Sequence, residues 1–185
     1  MGIYGAVFVR REGAGHRGHV AYCFQRWPGS ACYGSTEGFM NMPWAPPQLN
    51  VTWKKTATEV QVMNELLNQG YDEYKILKGR GDEGAAFRLI DEWSKKGYAV
   101  VFENCMDATY HILTAFGCWM PPPSTNWMPN NWFDALATKS IWLKANQSIF
   151  PVGPRTAEEG GLDDTKEAPA LPVDGPLPEL VMPKP

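Results

Sequence analysis

The stretch from Tyr98 to Gly117, YAVVFENCMDATYHILTAFG, is the most informative part of the chain for its fold. It starts with an apolar run of strand type, Tyr98 to Glu103, that passes directly into Asn104 and Cys105. A helical stripe follows, formed by Ala108, Ile112, Leu113 and Phe116. Asn104 is a favourable N-cap residue, so Cys105 is predicted to lie at a strand-to-helix corner.

Upstream of this corner, the sequence predicts a three-stranded antiparallel meander. Ile3 to Arg10 and His19 to Phe24 are apolar runs separated by a Gly- and His-containing turn. Trp27-Pro-Gly-Ser is a turn signal, after which Ala31 to Phe39 returns as the third strand. The Pro-rich segment from Met40 to Pro47 is predicted to be an extended loop.

Two helices are predicted between the meander and the Cys105 corner. Thr56-x-x-Glu59 is interpreted as the capping box of the first, which ends before Gly70. Asp82 to Lys96 is the second, with acidic residues at its start and an apolar face. The residues from Asp134 to Asn146 are expected to form a last short helix or strand. The predicted class is therefore α+β, an antiparallel sheet packed on helices.

Length and composition favour one domain, residues 1–150, followed by a Pro-rich acidic tail, residues 151–185. The chain has 185 residues, a hydrophobic fraction of 44% and a net charge of −3. The tail holds seven acidic and three basic residues, so its net charge of −4 leaves about +1 for the domain. Its eight prolines and lack of aromatic residues predict disorder.

Several classes of function are disfavoured by the sequence. No stretch of the domain clusters five basic residues, so nucleic acid is not an expected partner. The N-terminus lacks a signal-peptide pattern, and no window is long and apolar enough for stable membrane insertion. A cytoplasmic location, or export without a classical signal peptide, is expected. The cysteine and histidine spacings match no usual zinc site, and neither a metal nor another cofactor is expected.

Cys105 is the best candidate for chemistry. The first turn of a helix stabilises a thiolate through its free N–H groups and partial positive charge. His19, at the start of an apolar strand, is the predicted base, and Glu37 on the neighbouring strand is predicted to orient it. Asn104 is expected to hold the helix start, where a backbone N–H can face an oxyanion.

The order of an early G-H-V-A-Y strand, a meander and a later N-C-M-D-A-T-Y helix resembles the circularly permuted NlpC-like papain-fold proteins, which include relatives of lecithin:retinol acyltransferase. The resemblance covers roughly residues 3 to 117. It implies a permuted papain-like fold with Cys105 as nucleophile, His19 as general base and Glu37 as orienting residue. It also implies a cysteine peptidase, amidase or acyltransferase that acts on a peptide, another amide or an acyl ester.

Two other functions remain open at this stage. The chain is alternatively a non-catalytic binding or assembly domain of the same fold, with the tail as a tether or as a docking segment for a partner protein. It is alternatively a carbohydrate- or peptide-binding module built on a rim of Trp119, Trp127 and Trp132, which requires exposed indoles. Cys23, Cys32 and Cys118 are interpreted as structural.

Overall fold

The structure is a computed structural model that describes residues 3–38, 48–49, 51–98, 104–123, 126 and 128–151. The predicted meander is confirmed. It consists of the antiparallel strands β1 (Ile3–Arg10), β2 (His19–Trp27) and β3 (Ser30–Glu37). Between β1 and β2 lies a single irregular helical turn, α1 (Gly13–His16). The loop predicted over residues 40–47, the tail beyond residue 151 and Trp127 lie outside the described residues.

The described residues contain strands that the sequence analysis did not predict. A two-residue strand β4 (Gln48–Leu49) precedes β5 (Val51–Thr58), which pairs antiparallel with the outer edge of β3. On the other side, β6 (Glu73–Gly79) pairs antiparallel with β1. The first helix therefore begins later than predicted.

Four longer helices connect and cover these strands in the described part of the chain. They are α2 (Glu59–Asn68), α3 (Glu83–Trp93), α4 (Cys105–Ala115) and α5 (Pro129–Ala135). The capping box of α2 is formed by Thr58 and Gln61, so the predicted Thr56 box is wrong. Thr56 is paired with Cys32 within the sheet instead. The predicted helix over residues 82–96 is confirmed, with the Asp82 side chain accepting from the Ala85 N–H at 2.8 Å.

Two short strands complete the described architecture. β7 (Gly97–Tyr98) pairs with β4, and the rest of the strand predicted up to residue 103 lies outside the described residues. β8 (Ile141–Trp142) pairs with β6. The main sheet of the described residues has six antiparallel strands in the order β5-β3-β2-β1-β6-β8, which confirms the α+β class.

The sheet separates two hydrophobic cores. On one face, alternate residues of β2 such as Val20, Tyr22 and Phe24 pack against α3, α4 and α5. On the other face, Ala21 and Cys23 pack against α2 and the segment from Leu143 to Phe150. Each fully buried large apolar side chain contributes about 1.5–3 kcal/mol, so both layers stabilise the sheet. The candidate site lies where β2 begins.

Candidate functional site

Cys105 is the first residue of α4, as the sequence predicted. The Asn104 side-chain oxygen accepts from the Met106 N–H at 2.8 Å and from the Asp107 N–H at 3.2 Å. The Asp107 carboxylate in turn accepts from the Asn104 N–H at 3.3 Å, which completes a capping box. Asn104 therefore orients the helix start and with it Cys105, whose surface is only 2% exposed.

A gap between β2 and β3 brings Cys105 to the backbone of Val20, the residue after His19. The pairing of the two strands ends at Ala21 and Ser35, so His19 and Val20 stay paired to β1 but leave β3. The backbone of Val20 lies in this gap, close enough to the Cys105 thiol to offset part of the rise that burial causes in its pKa, and the Val20 carbonyl accepts from the Ser35 hydroxyl at 2.9 Å. The predicted nucleophile thus contacts the residue next to the predicted base.

Cys105 and His19 reach Val20 from opposite faces of the sheet. Cys105 belongs to the core on the α4 face, whereas strand alternation places His19 on the α2 face with Ala21. Both side chains are buried, and no direct hydrogen bond joins them among the described contacts.

Ser35 fixes the orientation of the His19 ring. Its hydroxyl oxygen lies 2.8 Å from His19 Nε2, and its O–H donates a hydrogen bond to the Val20 carbonyl. The hydroxyl oxygen therefore accepts from Nε2–H, and Nδ1 is left with a free lone pair. His19 Nδ1 is the nitrogen that can act as a base.

Glu37 does not take the orienting role that the sequence analysis assigned to it. Its carboxylate lies 3.9 Å from His19 Nε2, too far for a hydrogen bond, and its side chain is 52% exposed. Instead it accepts from Trp53 Nε1 at 3.4 Å. Ser35 was missed because a single serine in a predicted strand carries no sequence signal for this role, although its position two residues before Glu37 places it on the same face of β3.

Burial keeps both reactive groups neutral. It lowers the pKa of His19 to about 4, with help from the positive charge of Arg10 and opposed by Glu37. It raises the pKa of the Cys105 thiol to about 11, opposed by hydrogen bonds from the Val20 and Met106 backbones. At neutral pH the pair is therefore a thiol and a neutral imidazole, not an ion pair.

Tyr71 is a second residue of this neighbourhood that the sequence analysis missed. Its ring centroid lies 6.1 Å from that of His19, at an interplanar angle of 48°. Its side chain is buried, and the guanidinium of Arg10 lies 5.8 Å from its ring centroid. The available signal was Gly70, which predicts a helix end and so places the next residue against the core.

The predicted tryptophan rim is not supported. Trp132 is fully buried, and its Nε1 donates to the Pro121 carbonyl at 2.9 Å. Trp119 is 54% exposed. A rim needs its indoles on the surface, so Trp132 is a core residue that covers α4 where regular structure ends. Cys23, Cys32 and Cys118 are buried free thiols, as predicted.

Comparisons with known proteins add no assignment. No family model matches the chain, and no curated protein or solved structure resembles it at a significant level. Within the described ranges, no three His, Cys, Asp or Glu side chains are grouped as metal ligands, and no helix there has the length and apolarity to cross a membrane. The geometry of the site therefore carries the functional argument.

Proposed function

We propose that the chain is a thiol-dependent hydrolase or acyltransferase that acts on an amide, peptide or ester bond. The observation that carries this proposal is the position of Cys105. It begins a capped helix and lies against the backbone of Val20, the residue after His19, whose Nδ1 is left free by Ser35. A thiol at a helix start beside an oriented imidazole is the arrangement that nucleophilic catalysis requires.

The reaction proceeds in two halves. His19 Nδ1 takes the thiol proton as Cys105 Sγ bonds to the acyl carbon, and the carbonyl electron pair moves onto the oxygen. Collapse of this intermediate breaks the bond to the leaving amine or alcohol, which takes the proton from His19. Water or an acceptor amine then attacks the thioester carbon and gives its proton to His19. The C–S bond breaks, the Cys105 sulfur takes that proton back from His19, and the acyl product leaves.

The start of α4 stabilises the negative charge that develops on the acyl oxygen in the tetrahedral intermediates of both half-reactions. The Asn104 side chain accepts from the Met106 and Asp107 N–H groups, and the Cys105 N–H beside the sulfur is the proposed oxyanion donor. The partial positive charge of the helix start acts in the same direction. Asn104 thus contributes to oxyanion stabilisation indirectly, by orienting the backbone at the start of α4.

The order of the site along the chain supports a permuted papain-like fold as part of this proposal. The histidine strand, β2, precedes the cysteine helix, α4, and the helix packs on the same antiparallel sheet. This is the order that the NlpC-like resemblance implies. Ser35 takes the place of the orienting residue in this scheme.

A non-catalytic binding or assembly domain is the second candidate. Cys105 is 2% and His19 is 7% exposed, and both are neutral at pH 7. Buried neutral groups are typical of structural residues. The catalytic proposal therefore requires that substrate binding uncovers the thiol, and the two candidates differ in whether Cys105 can be acylated.

The proposal is tested by incubating the full chain with p-nitrophenyl acetate and measuring its intact mass. We expect one acetyl group on Cys105, absent in Cys105→Ala and formed at least tenfold more slowly in His19→Gln. Cys118→Ala and His16→Gln are matched controls and should acetylate like the wild type, since Cys118 lies beside Gly5 and His16 is exposed. An adduct that survives in Cys105→Ala, or none in the wild type, would favour the binding domain.

A further inference from the structure

Tyr71 lies where a Schellman motif ends α2. The Gly70 N–H donates to the Leu67 carbonyl and the Tyr71 N–H to the Leu66 carbonyl, both at 3.0 Å. Gly70 has a φ of +81°, the left-handed conformation that this motif requires. The residue after the glycine normally makes an apolar contact with the helix, and the ring of Tyr71 does so. A phenylalanine would serve this purpose equally well.

The Schellman motif explains the ring of Tyr71 but not its hydroxyl group. The side chain is 1% exposed, and its oxygen makes no hydrogen bond of ordinary geometry with any described group. Other buried tyrosines of the sheet are satisfied, since Tyr22 donates to the Trp53 carbonyl at 3.0 Å and Tyr33 to Glu65. A buried hydroxyl without a partner costs about 1–3 kcal/mol. Such a group points to a ligand that supplies the missing acceptor.

The surroundings of Tyr71 are those of the proposed reaction centre. Its ring lies 6.1 Å from that of His19, and Arg10 is the cross-strand partner of His19 on the same face. Burial has the largest effect on the pKa of Tyr71, a hydrogen-bonding contact with the Ser35 side chain that falls outside ordinary geometry lowers it, and the nearby Cys105 raises it. Burial raises the pKa of Tyr71, so its hydroxyl keeps its proton and stays a donor. The nearby positive charge of Arg10 strengthens such a donor.

We propose that Tyr71 Oη–H is a further catalytic donor of this site, which hydrogen-bonds the acyl oxygen of the substrate as it becomes an oxyanion. This inference rests on the proposed acyl-transfer function. Tyr71 forms no covalent bond and keeps its proton throughout the reaction. The orientation of His19 does not need it, because the Ser35 hydroxyl already accepts from Nε2–H and donates to Val20. The Tyr71 hydroxyl is therefore left for the substrate.

The test compares two reactions of Cys105 in Tyr71→Phe. Acylation by p-nitrophenyl acetate passes through an oxyanion, whereas alkylation by iodoacetamide displaces iodide and creates none. We expect the burst of p-nitrophenolate to slow about a hundredfold, while alkylation keeps the wild-type rate within about twofold. Folding should be intact, because the substitution removes an unsatisfied group. Tyr74→Phe is the matched control, as this buried ring stacks on Phe8 at 5.1 Å.

The outcomes separate the inference from the function on which it rests. If Cys105→Ala still releases p-nitrophenolate in a burst, the acyl-transfer proposal fails and Tyr71 loses its role with it. If Cys105→Ala abolishes the burst but Tyr71→Phe matches Tyr74→Phe, only the assignment of Tyr71 is overturned. Equal losses of acylation and alkylation in Tyr71→Phe also overturn it, because they indicate a residue that positions the thiol or the base.

Discussion

Ser35 and Glu37 lie two residues apart on one face of β3, and only Ser35 hydrogen-bonds His19. We predict that Ser35→Ala lowers the rate of Cys105 acylation by about ten- to a hundredfold, because the imidazole loses the acceptor that selects its tautomer. Glu37→Gln should change the rate less than threefold, since this carboxylate is exposed and 3.9 Å away. Burst kinetics of both variants check this. A larger loss in Glu37→Gln would restore the role first assigned to it.

The burial of the His19 imidazole leads to a second prediction, which concerns how the stability of the protein depends on pH. Its pKa is about 4 in the folded protein and has an ordinary value of 6.5, so between these values the unfolded chain binds a proton that the folded chain does not. The free energy of unfolding therefore decreases as the pH falls from 6.5 to 4, by up to about 3 kcal/mol from this residue.

Urea unfolding at several pH values measures this contribution as the difference between the wild type and His19→Gln. The slope of stability against pH should be smaller in the variant over this range. His16→Gln, at a histidine whose side chain is 80% exposed, controls for the removal of one imidazole from the chain. Identical slopes in the wild type and His19→Gln would show that His19 is solvated in the folded protein.

At the scale of the element, the start of α4 is held by its cap. Asn104→Ala removes the acceptor of two first-turn N–H groups, so we expect the free energy of unfolding to fall by about 1 kcal/mol. Asn104→Asp keeps the acceptor and should retain stability. Urea midpoints compare the two. If both variants lose the same amount, the amide has a role other than capping.

The contact of β3 with β5 depends on a glycine. A Cβ at Gly34 would lie 2.0 Å from the Trp53 carbonyl and 2.5 Å from the Tyr22 hydroxyl, so Gly34→Ala should destabilise the protein by about 1–3 kcal/mol. Gly84→Ala in α3 is the control, because its Cβ would have only ordinary contacts at 3.5 Å and alanine favours helix. Thermal unfolding tests whether the two changes differ in sign.

At the scale of the whole molecule, Glu59 at the start of α2 links the turn between β2 and β3 to the segment from Ser148 to Phe150. This buried carboxylate accepts from the N–H groups of Gly29 and Phe150, both at 3.1 Å, and from the Ser148 hydroxyl. Glu59→Ala leaves these donors unpaired, and we expect a loss on the order of 3 kcal/mol. Glu59→Gln keeps one acceptor oxygen and should lose less. Urea unfolding and proteolysis near Phe150 measure both effects.

The sequence by itself determined the features that depend on near neighbours along the chain. Asn104 as N-cap, Cys105 as first helical residue, the helix starting after Asp82 and the three strands of the meander were all predicted correctly. Capping bonds span three residues and apolar periodicity spans one element, so both are visible in a short stretch. The α+β class followed from the order of these elements.

Only the tertiary structure decided which residues meet. β5 and β6 join the sheet at distant strands, Trp132 is buried by segments far along the chain, and the gap between β2 and β3 brings Ser35 rather than Glu37 to His19. Tyr71 joins the same site from the end of α2. Strand pairing and burial depend on contacts between residues that are far apart in the sequence. Forming such contacts has an entropic cost of loop closure, and a short stretch of sequence does not show which of them compensate for it.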